Sequence, residues 1–254
     1  MTIEKKNNVI ICRDKDLTLR TKKALEVLNP ELPEPGAKIL IKPNLVEPKP
    51  KTSGAITRPE VVEGIIQFFN EKKYQIIVGE GTACPTTEKA FKIGGYQYLV
   101  QKYQIKLVDL NKGPFKKIKT GKKIWPEIEI NKLALVSFFI SAAVLKEHAV
   151  GVTLSIKNLM GTIAPKGSRG ANKNYMHPED DWHEPWAKRL GLLYKYLRPN
   201  LAVIDGTTGM YGSHISGRLE QKDLTIVGED PLEVDKIAAE ILGHQEVFYF
   251  KYLF

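Results

Sequence analysis

Two stretches of the chain place an ammonium and an amide directly behind an apolar run. In ILIKPNL the run is followed by Lys42 and Asn44, and in TLSIKNLMG it is followed by Lys157 and Asn158. These residue types suit a carboxylate or phosphate ligand, because the ammonium supplies charge and the amide can donate or accept a hydrogen bond. The pattern therefore indicates a binding site for a small anion.

Ionisable residues also follow other apolar runs of the chain. In an open parallel sheet the carboxyl ends of the strands share one edge, and ligands bind in the crevice outside that edge. We therefore expect these strand-end side chains to converge on the same site as the two Lys-Asn pairs. The further residues placed there are Glu80, Lys146, His148, Asp205, Glu229 and Asp230.

The residue types suggest separate roles within this predicted site. We expect the lysines at positions 42, 146 and 157 to hold the anion and the two asparagines to orient it. Partial burial can lower a lysine pKa towards the range of proton transfer, so Lys157 is also a catalytic candidate, with His148 as acid or base and Asp205 assisting it. The alternative is structural: strand-end lysines are commonly solvated, and Lys157 can extend from a core segment to water.

The stretch YMHPEDDWHEPW supplies a second candidate acid or base, His177, and combines it with His183 and several carboxylates. These side chains suit a divalent metal, but the spacing of the histidines matches no standard zinc motif. The alternative is that the carboxylates precede a helix whose dipole favours negative charge there. Two long loops, 47–59 and 164–181, are expected to close over the strand-end site.

The order of apolar and amphipathic segments predicts the elements that position these residues. Apolar strands alternate with amphipathic helices, which is typical of a single three-layer α/β domain, residues 1–254, with a mostly parallel central sheet. A small basic β-hairpin is inserted at about 112–131, with a Thr-Gly turn at its tip. The strands are predicted at 9–12, 38–42, 75–79, 106–110, 141–145, 201–205 and 224–228. The helices are predicted near 17–28, 59–72, 88–103, 182–197 and 231–242, the last with Asp230 as its N-cap.

The composition limits the class of protein. Two cysteines, Cys12 and Cys84, are too few for an iron–sulfur cluster carried by this chain. No apolar stretch reaches the roughly 20 residues that a membrane helix needs. The N-terminus also lacks the pattern of a secretory signal, so we expect a cytoplasmic protein without membrane contact. The abundance of Lys, Ile and Tyr is compatible with a thermophilic source.

The net charge of +9 attracts polyanions at low salt and does not by itself identify a partner. Much of this charge lies in the hairpin stretch FKKIKTGKKIW. The simplest explanation is a solvated edge hairpin that its lysines protect from aggregation. The alternatives are a docking face for an acidic iron–sulfur protein and nonspecific nucleic-acid binding, for which the chain has no recognition motif.

An ordered set of motifs makes the chain resemble a known family. The motifs are KPNL, TRPEVVEGIIQFF, IIVGEG, LKEH, TLSIKNLMG, MH, VIDG and VGEDPLEVDKIAAEILG. Between about residues 37 and 243 they are similar to the family catalogued as domain of unknown function 362. The resemblance implies a family site formed by Lys42, Asn44, Lys146, His148, Lys157, Asn158, His177, Asp205, Asp230 and Asp235. Glu80 stands where the family more often has aspartate, which weakens a metal-ligand role there and leaves Glu80 as a ligand-binding candidate.

The resemblance also implies a metabolic context. Members of this family often accompany ferredoxin-like iron–sulfur modules, which suggests redox-linked or anaerobic metabolism with the cluster carried by a separate protein. The leading hypothesis is therefore a cytosolic metabolic enzyme that binds an anionic small molecule at the strand ends. The alternatives are a non-enzymatic partner of an iron–sulfur protein and a nonspecific nucleic-acid binder. Substrate, reaction, metal requirement and oligomeric state stay open.

Overall fold

The computed structural model describes residues 1–69, 73–83, 86–149, 151–166, 176 and 184–253. Its strands are β1 Thr2–Lys6, β2 Val9–Arg13, β3 Lys38–Pro43, β4 Gln75–Glu80, β5 Lys106–Asp109, β6 Phe115–Lys119, β7 Glu127–Asn131, β8 Phe138–His148, β9 Gly151–Val152, β10 Leu201–Tyr211 and β11 Arg218–Gly228. Its α-helices are α1 Leu17–Leu28, α2 Pro59–Phe69, α3 Thr87–Gly94, α4 Gln97–Tyr103, α5 Lys132–Val136, α6 Glu184–Tyr196 and α7 Pro231–Ile241.

The central sheet has the strand order β1-β2-β11-β10-β8-β3-β4-β5, with the short β9 paired to β8. Five neighbouring strands, from β10 across to β5, run parallel to one another. The opposite end of the sheet is antiparallel, because β11 pairs antiparallel with both β10 and β2. The predicted α/β fold with a mostly parallel central sheet is confirmed.

The sheet is covered on both faces, which explains why its strands are continuous apolar runs. Helices α1 to α4 pack on one face, where Leu25, Ile65 and Phe91 meet the strand residues Ile41 and Val78. On the other face, α6, α7 and the β6–β7 hairpin pack against strand residues of opposite orientation. Members of this second core are Leu40, Ala143, Ile204, Leu190 and Ile237. The three predicted layers are therefore present.

The predicted basic insertion is a separate two-stranded antiparallel sheet formed by β6 and β7. Its tip contains Thr120 and Gly121, as the Thr-Gly turn predicted. Lys117 on β6 pairs with Glu127 and Glu129 on β7, at 3.2 and 3.9 Å. Part of the hairpin's positive charge is therefore balanced within the hairpin.

Two predicted segments differ in detail from the structure. The helix expected at 88–103 is two helices, because Gly95 ends α3 with φ of +82° and the buried Tyr96 then turns the chain. The strand predicted at 141–145 is longer in the structure, where β8 runs from Phe138 to His148 and follows the short helix α5. None of the helices among the described residues is long and apolar enough to cross a membrane.

One predicted convergence is wrong. Glu229 and Asp230 follow β11, and because β11 runs antiparallel to β10, its carboxyl end lies at the edge opposite the ends of the parallel strands. Asp230 instead caps α7, accepting hydrogen bonds from the backbone N–H groups of Leu232 and Glu233 at 2.9 and 3.4 Å. Pro231 occupies the first turn of that helix, as the sequence predicted.

Candidate functional site

Lys42, at the carboxyl end of β3, lies at the centre of a buried polar network. Its ammonium forms an ion pair with Glu80 Oε1 at 2.7 Å and donates to Asn158 Oδ1 at 2.6 Å. Lys42 is 0% exposed, and burial lowers the pKa of its ammonium while the Glu80 carboxylate opposes that shift. A buried ammonium of this kind is tolerated because a carboxylate and an amide oxygen replace water.

Glu80, at the end of β4, is held by backbone groups as well as by Lys42. The N–H of Leu45 donates to its Oε2 and the N–H of Gly81 to its Oε1, both at 2.7 Å. Gly161 lies directly against this pair, so a β-carbon at that position would overlap Lys42 Cε and Glu80 Oε1. The glycine that ends the NLMG motif therefore allows the chain to pass over the ion pair.

Lys146, near the end of β8, is the second fully buried lysine of the site. Its ammonium donates to Asn44 Oδ1 at 2.7 Å and to the carbonyl of Ala55 at 2.6 Å, but no carboxylate among the described residues forms an ion pair with it. Burial, together with the charges of Lys157 and Lys42, lowers the pKa of Lys146 to about 7, and the charge of Glu80 opposes that shift. Neutral oxygens solvate this amine, and its charge is not compensated.

The two asparagines join the lysines into one network. Asn158 Nδ2 donates to the backbone carbonyl of Lys42 at 3.0 Å, and Asn44 Nδ2 donates to Asn158 Oδ1 at 3.4 Å. Thr57 supports the backbone N–H of Asn44 and in turn donates to the carbonyl of Ala142 on β8. The predicted ligand-binding residues Lys42, Asn44, Glu80, Lys146 and Asn158 are thus brought together at the carboxyl ends of three neighbouring strands.

Lys157 starts the 3-10 helix Lys157–Thr162 and differs from the other two lysines in its contacts. It is partly exposed, and it makes no hydrogen bond or ion pair with any residue that the structure describes. Its ammonium lies 6.0 Å from the ring centroid of Trp186, at the outer limit of a cation–π contact. Burial lowers the pKa of Lys157 to about 8.

A pair of histidines lies beside these lysines. The rings of His148, at the end of β8, and His214, in the turn between β10 and β11, have centroids 4.3 Å apart. Burial, followed by the charges of Lys157 and Lys146, lowers the pKa of His214 to about 4. His214 is therefore a neutral imidazole at pH 7, able to accept a proton from a neighbouring group.

Glu147 links the histidine turn to the rest of the structure. Its Oε2 accepts a hydrogen bond from the backbone N–H of Gly212 at 2.6 Å, and its Oε1 lies 2.9 Å from His244 Nε2. The same strand that carries Lys146 and His148 therefore holds the start of the turn that carries His214. The sequence showed no signal for either Glu147 or His214, because the turn GSHISG resembles an ordinary polar connection.

Asp205 lies in a different cluster, on β10. It accepts from the backbone N–H of Arg58 at 2.9 Å, from the Arg58 guanidinium at 3.3 Å and from Thr207 Oγ1 at 2.6 Å. The fully buried Arg20 approaches it to 3.8 Å and also donates to Thr207 and Thr225. None of its hydrogen bonds or ion pairs with described residues reaches the lysines or His148, and through Arg58 it holds the loop at 47–59. The assisting role of Asp205 stays a prediction.

Asp235 of α7 is fully buried behind the site. It accepts hydrogen bonds from Ser155 N, Ser155 Oγ and Ile156 N at 2.9, 2.6 and 3.0 Å. Burial raises the pKa of Asp235 to about 7 against these hydrogen bonds. Through Ser155, which accepts from Ser141, it supports the segment that carries Asn158. Asp235 therefore positions the site from behind.

The remaining predictions concern the loops and a metal. The loop at 47–59 does contribute to the site, through the Ala55 carbonyl and Thr57. His177 and His183 lie outside the described residues, as does most of the second loop. Among the residues that are described, no group of three or more His, Cys, Asp or Glu side chains is arranged to hold a metal ion.

Comparison with known families explains the ordered motifs. The model of the family described as "Domain of unknown function (DUF362)" matches residues 39–240. The chain belongs to this family. The match covers every strand and helix that forms the lysine network of this DUF362 protein, from β3 to α7.

Two known proteins are similar to this DUF362 protein. A curated relative, the thylakoid-associated protein sll1697 of Synechocystis sp., is 26% identical over 216 residues, which are 82% of this chain and 64% of the relative. A solved structure, the lactate racemase apoprotein from Thermoanaerobacterium thermosaccharolyticum, has a TM-score of 0.54 at 16% identity, over 91% of this chain and 56% of that one. The chain thus spans less than two thirds of either protein. The second likeness concerns the fold.

Proposed function

We propose that this DUF362 protein is an enzyme that binds a small anionic substrate, carrying a carboxylate or phosphate, at the carboxyl ends of β3, β4 and β8. The observation that carries this proposal is the charge balance of the lysine network. Three lysines meet there, and among the described residues one carboxylate, Glu80, forms an ion pair with one of them. A bound anion would supply the missing negative charge.

The two lysines without a carboxylate are the ones that would contact the ligand. Lys146 and Lys157 lie close enough for the charge of Lys157 to lower the pKa of Lys146. Two partly desolvated ammoniums repel each other, and an anion between them removes that repulsion. Glu47 also acts on Lys146 electrostatically, but its carboxylate pairs with Lys49 at 3.2 Å. The network therefore favours an anion over a neutral ligand.

The histidine pair supports proton-transfer chemistry on such a ligand. His148 follows the same strand as Lys146, and the neutral ring of His214 lies against it. The His148 ring can take a proton from a bound substrate, and the neighbouring ammoniums stabilise the negative charge that this step creates. His177 stays a prediction as a further acid or base.

Binding is tested by calorimetric titration of the full chain with acetate, pyruvate, lactate and phosphate at constant ionic strength. We expect at least one of these anions to bind, and we expect Lys157→Ala to weaken that binding at least tenfold. Lys122→Ala, on the exposed hairpin tip, is the matched control and should bind like the wild type. If no anion binds, or if both variants bind equally well, the proposed site is wrong.

The remaining predictions need separate tests. A redox-linked role, a cytosolic location and a partner that carries an iron–sulfur cluster follow from the family resemblance, and the alternatives are a non-enzymatic partner role and nonspecific nucleic-acid binding. The pairing of Lys117 with Glu127 and Glu129 reduces the positive field that an acidic partner or a polyanion would meet at the hairpin. Salt-sensitive association that Lys117→Glu abolishes would favour a docking role.

A further inference from the structure

The three lysines of the network differ in what their amines can do. Lys42 is fully buried and paired with a carboxylate, so its lone pair is not available. Lys146 is also fully buried, with its amine directed into two oxygen acceptors. Lys157 alone among the three is partly exposed and free of hydrogen bonds to the described residues. An approaching ligand would therefore meet the Lys157 amine.

The surroundings of Lys157 favour the neutral, nucleophilic form of its amine. The charged and titratable groups near it are Lys146 on β8 and His214 in the turn after β10, and both respond electrostatically to its charge. The Trp186 ring of α6 covers it from another side. Desolvation of this kind is one of the conditions that activate lysine amines for attack on carbonyl carbons.

We propose that Lys157 forms an imine with a 2-oxo acid, whose carboxylate is held beside Lys146. This inference rests on the proposed function and specifies its substrate class. A 2-oxo acid carries a carbonyl carbon directly next to its carboxylate, so an anion bound at Lys146 would present that carbon to the neighbouring amine. The imine would then withdraw electrons from C3, the carbon on the side away from the carboxylate, which makes removal of a proton from C3 easier.

The step balances without any further reactant. The neutral Nζ of Lys157 attacks the carbonyl carbon, a C–N bond forms, and the carbonyl electron pair moves to oxygen, which takes up a proton while the nitrogen gives one up. The resulting carbinolamine loses its hydroxyl group as water after a second protonation, and the nitrogen lone pair completes the C=N bond. His148, two residues beyond Lys146 on β8, can carry these protons.

The experiment incubates the full-length protein with pyruvate and sodium cyanoborohydride near pH 7.5, followed by intact-mass measurement and peptide mapping. We expect one reduced adduct, on Lys157, formed on the order of tenfold faster than on an exposed lysine such as Lys117, because more of its amine is neutral. Acetone, which has the ketone without the carboxylate, is the matched probe and should react more slowly at this site.

The variant Lys157→Arg keeps a positive charge but removes the nucleophile. We expect it to retain pyruvate binding in calorimetry while losing the adduct. If pyruvate binds the wild type and no adduct forms at Lys157, or if exposed lysines react equally fast, the imine proposal is wrong and the anion site stands. An adduct at Lys157 that forms as fast with acetone supports the reactive amine and removes the carboxylate-binding role of Lys146. If pyruvate neither binds nor forms an adduct, both proposals are wrong.

Discussion

Two clusters of buried cations lie at the same edge of the sheet, and they are built differently. Around Asp205 on β10, Arg20 and Arg58 share a carboxylate, and hydroxyl groups of Thr207 and Thr225 complete their hydrogen bonds. In the lysine network, Glu80 is the one carboxylate among the described residues that forms an ion pair, and its partner is Lys42. Each arginine therefore has a carboxylate partner. Among the described residues, Lys42 alone of the three lysines has one.

We infer that this difference separates a structural cluster from the proposed binding site. Guanidinium groups keep their charge and form several directed hydrogen bonds, so Arg20 and Arg58 bind the loop at 47–59 to β10. Ammonium groups lose their proton more readily when buried, and the lowered pKa values of Lys146 and Lys157 show this cost. Buried groups with strongly shifted pKa values are typical of functional sites.

The largest expected effect follows from breaking the arginine cluster. Asp205→Asn removes the carboxylate that Arg20 and Arg58 share and leaves Arg20 with Asp223 at 3.9 Å. Loss of one partner from a buried ion pair costs about 3–5 kcal/mol of unfolding free energy. Chemical denaturation measures this loss. Glu220→Gln, which breaks an exposed pair with Lys222, is the control and should leave stability unchanged. Equal effects of the two variants would contradict the structural role of Asp205.

The ion pair between Lys42 and Glu80 should show the second-largest effect on stability. Glu80→Gln removes the carboxylate from Lys42 and weakens the hydrogen bonds from Leu45 and Gly81, so we expect a loss of about 3 kcal/mol at pH 7. The double variant Lys42→Met with Glu80→Gln should recover part of this loss, because no unpaired charge is left. A double variant that is less stable than Glu80→Gln would show that the pair is not coupled in this way.

Lys146, which has no carboxylate partner among the described residues, makes the free energy of unfolding depend on pH. The pKa of Lys146 is about 7 in the folded state and 10.5 in its ordinary range. Between these values the unfolded chain binds more protons, so the contribution of Lys146 to stability rises with pH, by about 2 kcal/mol from pH 7 to pH 9. Denaturation midpoints of Lys146→Met should lack this rise. Lys117→Met is the control and should keep the wild-type profile.

The smallest expected effect on stability belongs to Lys157. Lys157→Met removes an ammonium that has no hydrogen-bonding partner among the described residues, so the free energy of unfolding should change by less than about 1 kcal/mol. Anion binding should nevertheless be lost. A large loss of stability in this variant would show that Lys157, like Lys42, has a structural role. It would contradict the difference proposed between the two clusters.

The sequence predicted much of the fold and of the network, for a physical reason. Strands buried on both faces are unbroken apolar runs, so their ends are visible, and the polar residues that follow, such as Lys42 and Glu80, are visible with them. The direction of β11 was not visible, because an apolar run looks the same in either direction, and Asp230 was misplaced for that reason. The contact between His148 and His214 joins distant parts of the chain, and nothing local marks it.

The most direct test is the titration of the Lys157 amine by NMR of ¹³C,¹⁵N-lysine-labelled protein, with Lys157→Arg to assign its signal. The measurement is made with and without acetate, which cannot form an imine, and the signal of exposed Lys117 serves as reference. We predict a pKa of about 8 for Lys157 in the free protein and a higher value when the anion is bound, because negative charge favours the protonated form. An ordinary lysine pKa in the free protein, unchanged by acetate, would contradict an uncompensated lysine site completed by an anion.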